Sequence, residues 1–110
     1  MPAQHERRRT PRYPFSATAE IVDQQEDSRL QSQVRDLSSG GCYVETPDPL
    51  PPGKNVVVEI YTSNEFLETH ATVAFSESNQ GMGLCFGVMQ PYFAAVLTAW
   101  LAQAENQYTH

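Results

Sequence analysis

Phe15, Ala17, Ala19 and Ile21 alternate with Ser16, Thr18 and Glu20. An apolar residue at every second position is the pattern of a strand with one face buried. Short β-prone segments then recur along the chain: Leu30 to Arg35, Cys42 to Glu45, Asn55 to Tyr61, Phe66 to Phe75 and Met82 to Val88. Between them lie a polar turn at Asp23–Ser28, a loop at Asp36–Gly41, a rigid stretch from Pro47 to Gly53 with four prolines, and a turn at Ser78–Gly81. Proline donates no ladder hydrogen bond, so the 47–53 stretch cannot enter a sheet interior. Six short strands with turns between them predict an antiparallel barrel or sandwich.

The chain ends differently. Phe93, Val96, Leu97, Trp100, Leu101 and Ala104 form a single apolar stripe at helical spacing, and Pro91 suits a first helical turn. A helix carrying this stripe is expected to seal an open end of the barrel, with Trp100 as its largest contribution. At 110 residues the whole is one domain, long enough to bury roughly two-thirds of its unfolded surface. Cys42 and Cys85 lack metal-ligand or redox spacing and are expected to be buried free thiols. No apolar run follows the polar start, and the stretch Phe93–Ala102 is too short to span a bilayer, so a soluble, cytoplasmic protein without membrane insertion is expected.

Charge is unevenly placed. Residues 1–12 carry Arg7, Arg8, Arg9 and Arg12 against Glu6, a balance of +3, while the remainder carries −9. Pro11 and Pro14 bias Thr10 and Tyr13 away from helix, so residues 1–14 are expected to form an extended, flexible arm. In an extended arm Arg8 and Arg12 point to one side, about 13 Å apart at most, which suits two phosphates or a phosphate and a base. The acidic body argues against general nucleic-acid binding, which needs many phosphate contacts from a basic face.

Asp36-Leu37-Ser38-Ser39-Gly40-Gly41 concentrates acceptors and turn-forming residues in one loop. Glycines permit backbone angles closed to other residues, and Asp and Ser bond nearby backbone or present oxygens outward. A fixed acceptor loop and a guanidinium arm form two halves of a site for an anionic, guanine-like ligand. Catalysis finds no support: His5, His70 and His110 are scattered, no metal-ligand spacing occurs, and neither a nucleophile elbow nor a phosphate-binding glycine motif is present. The expectation is a binding module, not an enzyme, with no metal and no cofactor.

Arg-x-x-x-Arg (Arg8, Arg12) ahead of the first strand and Asp-x-Ser-x-x-Gly (Asp36, Ser38, Gly41) after the second resemble the PilZ domain. Gly41-Cys42-Tyr43-Val44, Pro51-Pro52-Gly53, Gly81-Met82-Gly83-Leu84-Cys85-Phe86 and the closing helix extend the resemblance over nearly the whole chain. It implies a mainly β fold, a six-stranded antiparallel β-barrel with a C-terminal α-helix over residues 15–104, followed by a polar tail at 105–110. It also implies binding of the bacterial second messenger cyclic di-GMP. Guanine offers O6 and N7 to a guanidinium and its donor edge to a carboxylate. The ligand-binding candidates are therefore Arg7, Arg8, Arg9, Arg12, Asp36, Ser38, Gly40 and Gly41, with Phe75 as an apolar wall beside the base. Through the resemblance, Arg7 directly before Arg8 points to a self-intercalated ligand pair, hence one or two molecules per domain. The expected mechanism is an arm that closes across the barrel mouth on the ligand and changes a surface read by an effector protein in trans. Rival readings are a ligand-independent adaptor in pilus assembly or motility and, less compatible with the acidic body, a basic-arm nucleic-acid binder.

Overall fold

Period-two alternation becomes an inside and an outside in the computed structural model, which describes residues 11–108. Strand β1 spans Tyr13–Asp23, β2 Ser28–Leu37, β3 Gly41–Glu45, β4 Asn55–Tyr61, β5 Phe66–Glu77 and β6 Gly81–Phe86; helix α1 spans Pro91–Tyr108. All neighbours pair antiparallel, and the sheet closes on itself in the order β1-β2-β3-β6-β5-β4. Closure removes the edges that an open sheet would expose. Of the barrel and the sandwich left open by the strand pattern, the chain adopts the barrel.

Ala17, Ala19 and Ile21 of β1 meet Val34 and Leu37 of β2, Val44, Val58, Ile60, Leu67, Val73, Met82 and Leu84 in one core. Helix α1 lies against β1 and β5. Its Val96, Leu97, Trp100 and Ala104 are buried as the stripe predicts, and Trp100 is the bulkiest of the fully buried side chains. The Trp100 ring packs on Phe15 at 5.3 Å, and its Nε1–H donates to Glu65 Oε1 at 3.0 Å. The Gln90 carbonyl accepts from Ala94 N–H at 2.9 Å and opens the helix. The helix runs on through Tyr108, past the expected limit at Ala104.

Four expectations change. Cys85 is exposed, because Met82 and Leu84 take the inward positions of β6 and alternation turns Cys85 out; Cys42 is buried, and both thiols are free. Strand β6 stops at Phe86, leaving Val88 almost wholly exposed. Strand β2 continues through Asp36 to Leu37, so the expected loop shrinks to residues 38–40. Neither Gly40 nor Gly41 has a left-handed φ; Gly53, at +90°, is the described glycine that does.

Candidate ligand-binding site

Three β-bulges set the geometry of the site. They interrupt the pairing of β1 with β2 between Pro14 and Ala17, of β2 with β3 between Val34 and Asp36, and of β5 with β6 between Val73 and Phe75. All three border a single cross-strand row, Pro14–Asp36–Tyr43–Gly83–Phe75, running over four consecutive pairings. Cys42, Val44, Met82 and Leu84 on either side of this row belong to the core, so the row itself lies on the outer wall. Bulges bend a strand and re-aim its side chains, and they concentrate beside functional sites.

Along this row a tyrosine is held on three sides. Tyr43 is only 3% exposed despite its outward position. The Arg35 guanidinium sits 4.1 Å from its ring centroid, Phe75 stacks beside it at 6.1 Å, and its hydroxyl donates to Glu77 Oε1 at 2.5 Å. Gly83 makes room: a Cβ there would stand 2.2 Å from the Phe75 ring. Burial and then the Glu77 hydrogen bond push the Tyr43 phenol up to about 12. Arg35 also approaches Glu45, at 3.7 Å.

Asp36 is half-buried, and its Oδ1 is fully enclosed with no hydrogen-bond partner among the described residues. Its charge, added to burial, pushes the Cys42 thiol up to about 12. Ser38 is buried and committed to its own turn: its Oγ donates to the Gly41 carbonyl at 3.3 Å and accepts from Gly40 N–H at 3.3 Å. Gly41 is needed for close approach, since a Cβ would lie 2.0 Å from the Leu84 carbonyl oxygen; Gly40 has open space around it. Phe75 is 39% exposed on the wall.

Of the arm expected over residues 1–14, residues 11–14 are described, and Tyr13 and Pro14 already belong to β1, whose ladder to β2 they join. Arg12 is exposed and directly precedes Tyr13, which pairs with Leu37. The β1–β2 register therefore sets the Arg12 backbone beside the end of β2, the strand carrying Asp36. Arg7, Arg8 and Arg9 lie outside the described residues. A cleft of about 750 Å³ meets the row only at Pro14 and continues along Arg35 to Glu65, Trp100 and Gln103 on the helix side; Asp36, Ser38, Gly40, Gly41 and Phe75 do not line it.

Arg35, Tyr43 and Glu77 were not among the sequence candidates. No local signal marked them: which side chain Arg35 covers depends on strand register. Among the described residues no group of three or more His, Cys, Asp or Glu is placed to hold a metal ion.

Against protein-family models, the chain matches the PilZ domain over residues 6–103. It belongs to the PilZ domain family. This PilZ domain is similar in fold to the PilZ domain of YcgR from Escherichia coli with c-di-GMP, at TM-score 0.75 and 18% identity, covering 93% of this chain and 94% of that one. It is similar to the Bacillus subtilis inhibitor of motility MotI/DgrA at TM-score 0.72 and 19% identity, covering 90% of this chain and 52% of that one. It also resembles MrkH of K. pneumonia in complex with c-di-GMP, at TM-score 0.75 and 16% identity, covering 93% and 54%. The chain thus spans about half the length of those two. No curated protein matches it in sequence. Among the described residues no helix is long and apolar enough to cross a membrane.

Proposed function

We propose that this PilZ domain is a non-catalytic receptor for cyclic di-GMP, whose N-terminal arginines close on the ligand beside Asp36 and so alter a surface read by an effector protein. One observation carries the reading: the buried Oδ1 of Asp36 meets no donor within the described residues. A buried acceptor without a partner costs roughly 1–3 kcal/mol, and such groups in a folded protein call for an explanation. The donor edge of guanine, N1–H with the exocyclic amine, supplies the missing partner. Phe75 offers a partly exposed ring on the same row. Arg8 and Arg12 would answer the two phosphodiester charges, and Arg7 would favour a second ligand molecule over one. The arm closes over the row that carries Asp36 and Phe75.

Charge-assisted hydrogen bonds contribute about 1.5–3 kcal/mol each. Four or five offset a few kcal/mol of arm ordering and leave micromolar or tighter binding. Calorimetric titration with cyclic di-GMP tests the reading. The wild type should give saturable heat, the Arg8→Ala/Arg12→Ala double variant should lose it, and Asp36→Asn should weaken binding by about 1–3 kcal/mol. No heat in the wild type favours the ligand-independent adaptor; equal heat in the double variant removes the arm from the mechanism. Salt-sensitive binding to random DNA in place of the dinucleotide favours the nucleic-acid binder.

A further inference from the structure

On the wall formed by β1, β4 and β5, register places Glu20, Glu59 and Glu68 directly opposite one another. Like charges facing each other across antiparallel strands are destabilising. Arg29 compensates Glu20 at 2.6 Å, and Glu59 accepts the Tyr61 hydroxyl at 2.7 Å. Among the described residues no cation pairs with Glu59 or Glu68. The protein thus holds a carboxylate row that its own barrel leaves incompletely neutralised.

The next outward row is aromatic. Tyr61 faces Phe66 across β4 and β5, with ring centroids 5.2 Å apart. Phe66 meets Phe93 of α1 edge-on at 5.6 Å, and Phe93 meets Tyr92 edge-on at 5.3 Å. Tyr61 is 39% and Tyr92 69% exposed, so a chain of four rings runs from the barrel wall to the start of the helix in contact with water. Contiguous exposed apolar surface rimmed by polar residues marks interaction sites, whereas scattered single residues do not.

We propose that this wall docks a cationic segment of a partner protein. The carboxylate row and the aromatic strip together select that chemistry. An anionic partner, whether nucleic acid or phosphorylated peptide, meets Glu59 and Glu68 with like charge. A neutral apolar partner strips water from the carboxylates and gives nothing in return. Lysine or arginine side chains satisfy both rows: their charged heads pair with the carboxylates while their stems, or a guanidinium plane, lie on the rings. A second copy of the barrel is disfavoured by the −9 carried outside residues 1–12. Strand β5 carries Phe66 of this strip at one end and Phe75 of the candidate site near the other, so one strand belongs to both walls.

This inference rests on the reading of the chain as a receptor acting through a partner, and the test keeps the two apart. An amphipathic lysine–leucine peptide and its glutamate–leucine counterpart are titrated into the full isotope-labelled chain, with cyclic di-GMP titrated separately into the same samples. The lysine peptide should shift the amides around Tyr61, Phe66, Glu68 and Tyr92. Its affinity should fall at least about tenfold in Glu59→Gln/Glu68→Gln and in Tyr92→Ala, and fall with added salt. The glutamine variant relieves like-charge contact, so it should remain folded, and the heat of cyclic di-GMP binding should be unchanged in every variant. Equal binding of both peptides, shifts confined to another wall, or unaltered affinity in the variants overturns the docking surface whatever the dinucleotide does. So does concentration-dependent self-association through this strip, which would make a second copy the occupant.

Discussion

Gly40 and Gly41 are adjacent in sequence and opposite in physical role. Gly41 has the Leu84 carbonyl where a side chain would begin, while Gly40 faces open space, and neither has a left-handed φ. Gly41→Ala should therefore cost about 1–3 kcal/mol through overpacking of the β3–β6 pair, whereas Gly40→Ala should stay within about 0.5 kcal/mol of wild type. Chemical denaturation of the two variants checks this, and equal losses would show that close approach is not what the glycine serves. The sequence motif marks both glycines without separating them, because the obstacle to Gly41 comes from β6, more than forty residues away in sequence. Ser38 teaches a similar lesson. Its hydroxyl reads as a ligand contact, but in the fold both of its hydrogen bonds close the turn that presents Asp36.

At the scale of elements, α1 and the bulged strands do different work. The helix fastens to the barrel chiefly through Trp100, which is buried on the core, packs on Phe15 and bonds Glu65 through Nε1. Trp100→Ala should cost about 3–5 kcal/mol, with Trp100→Phe losing much less because the ring contact survives. Denaturant midpoints at unchanged slope measure it; a small loss in the alanine variant would mean that the helix is dispensable to the barrel. The apolar stripe at helical spacing made this element legible in advance: Val96, Leu97, Trp100 and Ala104 are buried, and Phe93 and Leu101 partly so. The bulges were not legible. Each adds residues to one strand relative to its partner, and nothing local to Arg35 or Ala74 announces that surplus. They nonetheless decide that Asp36, Tyr43 and Phe75 share one face.

Over the whole molecule, three groups among the described residues couple the fold to alkaline pH: Tyr61, raised chiefly by its hydrogen bond to Glu59, and, more strongly, Cys42 and Tyr43. Burial, assisted by the charge of Asp36, moves the Cys42 thiol from 9.0 up to about 12. Burial and the bond to Glu77 move the Tyr43 phenol from 10.0 up to about 12. Both hold their protons more tightly folded than unfolded. Their contribution is therefore complete below about pH 9 and is lost as pH rises towards about pH 12. Unfolding free energies measured between about pH 8 and about pH 11 should fall, and Cys42→Ala with Tyr43→Phe should flatten the slope. An identical slope in the double variant would count against either group as its source. Alternation of apolar and polar residues, turn chemistry and one helical stripe were enough to specify six strands and a closing helix, since those signals act between near neighbours in the chain. Closure into a barrel, the outward turn of Cys85, the caging of Tyr43, the enclosure of the Asp36 Oδ1 and the pairing of a glutamate row with an aromatic strip were not available at that level. Each arises from strand register, which is set by how all six strands fit around a single core.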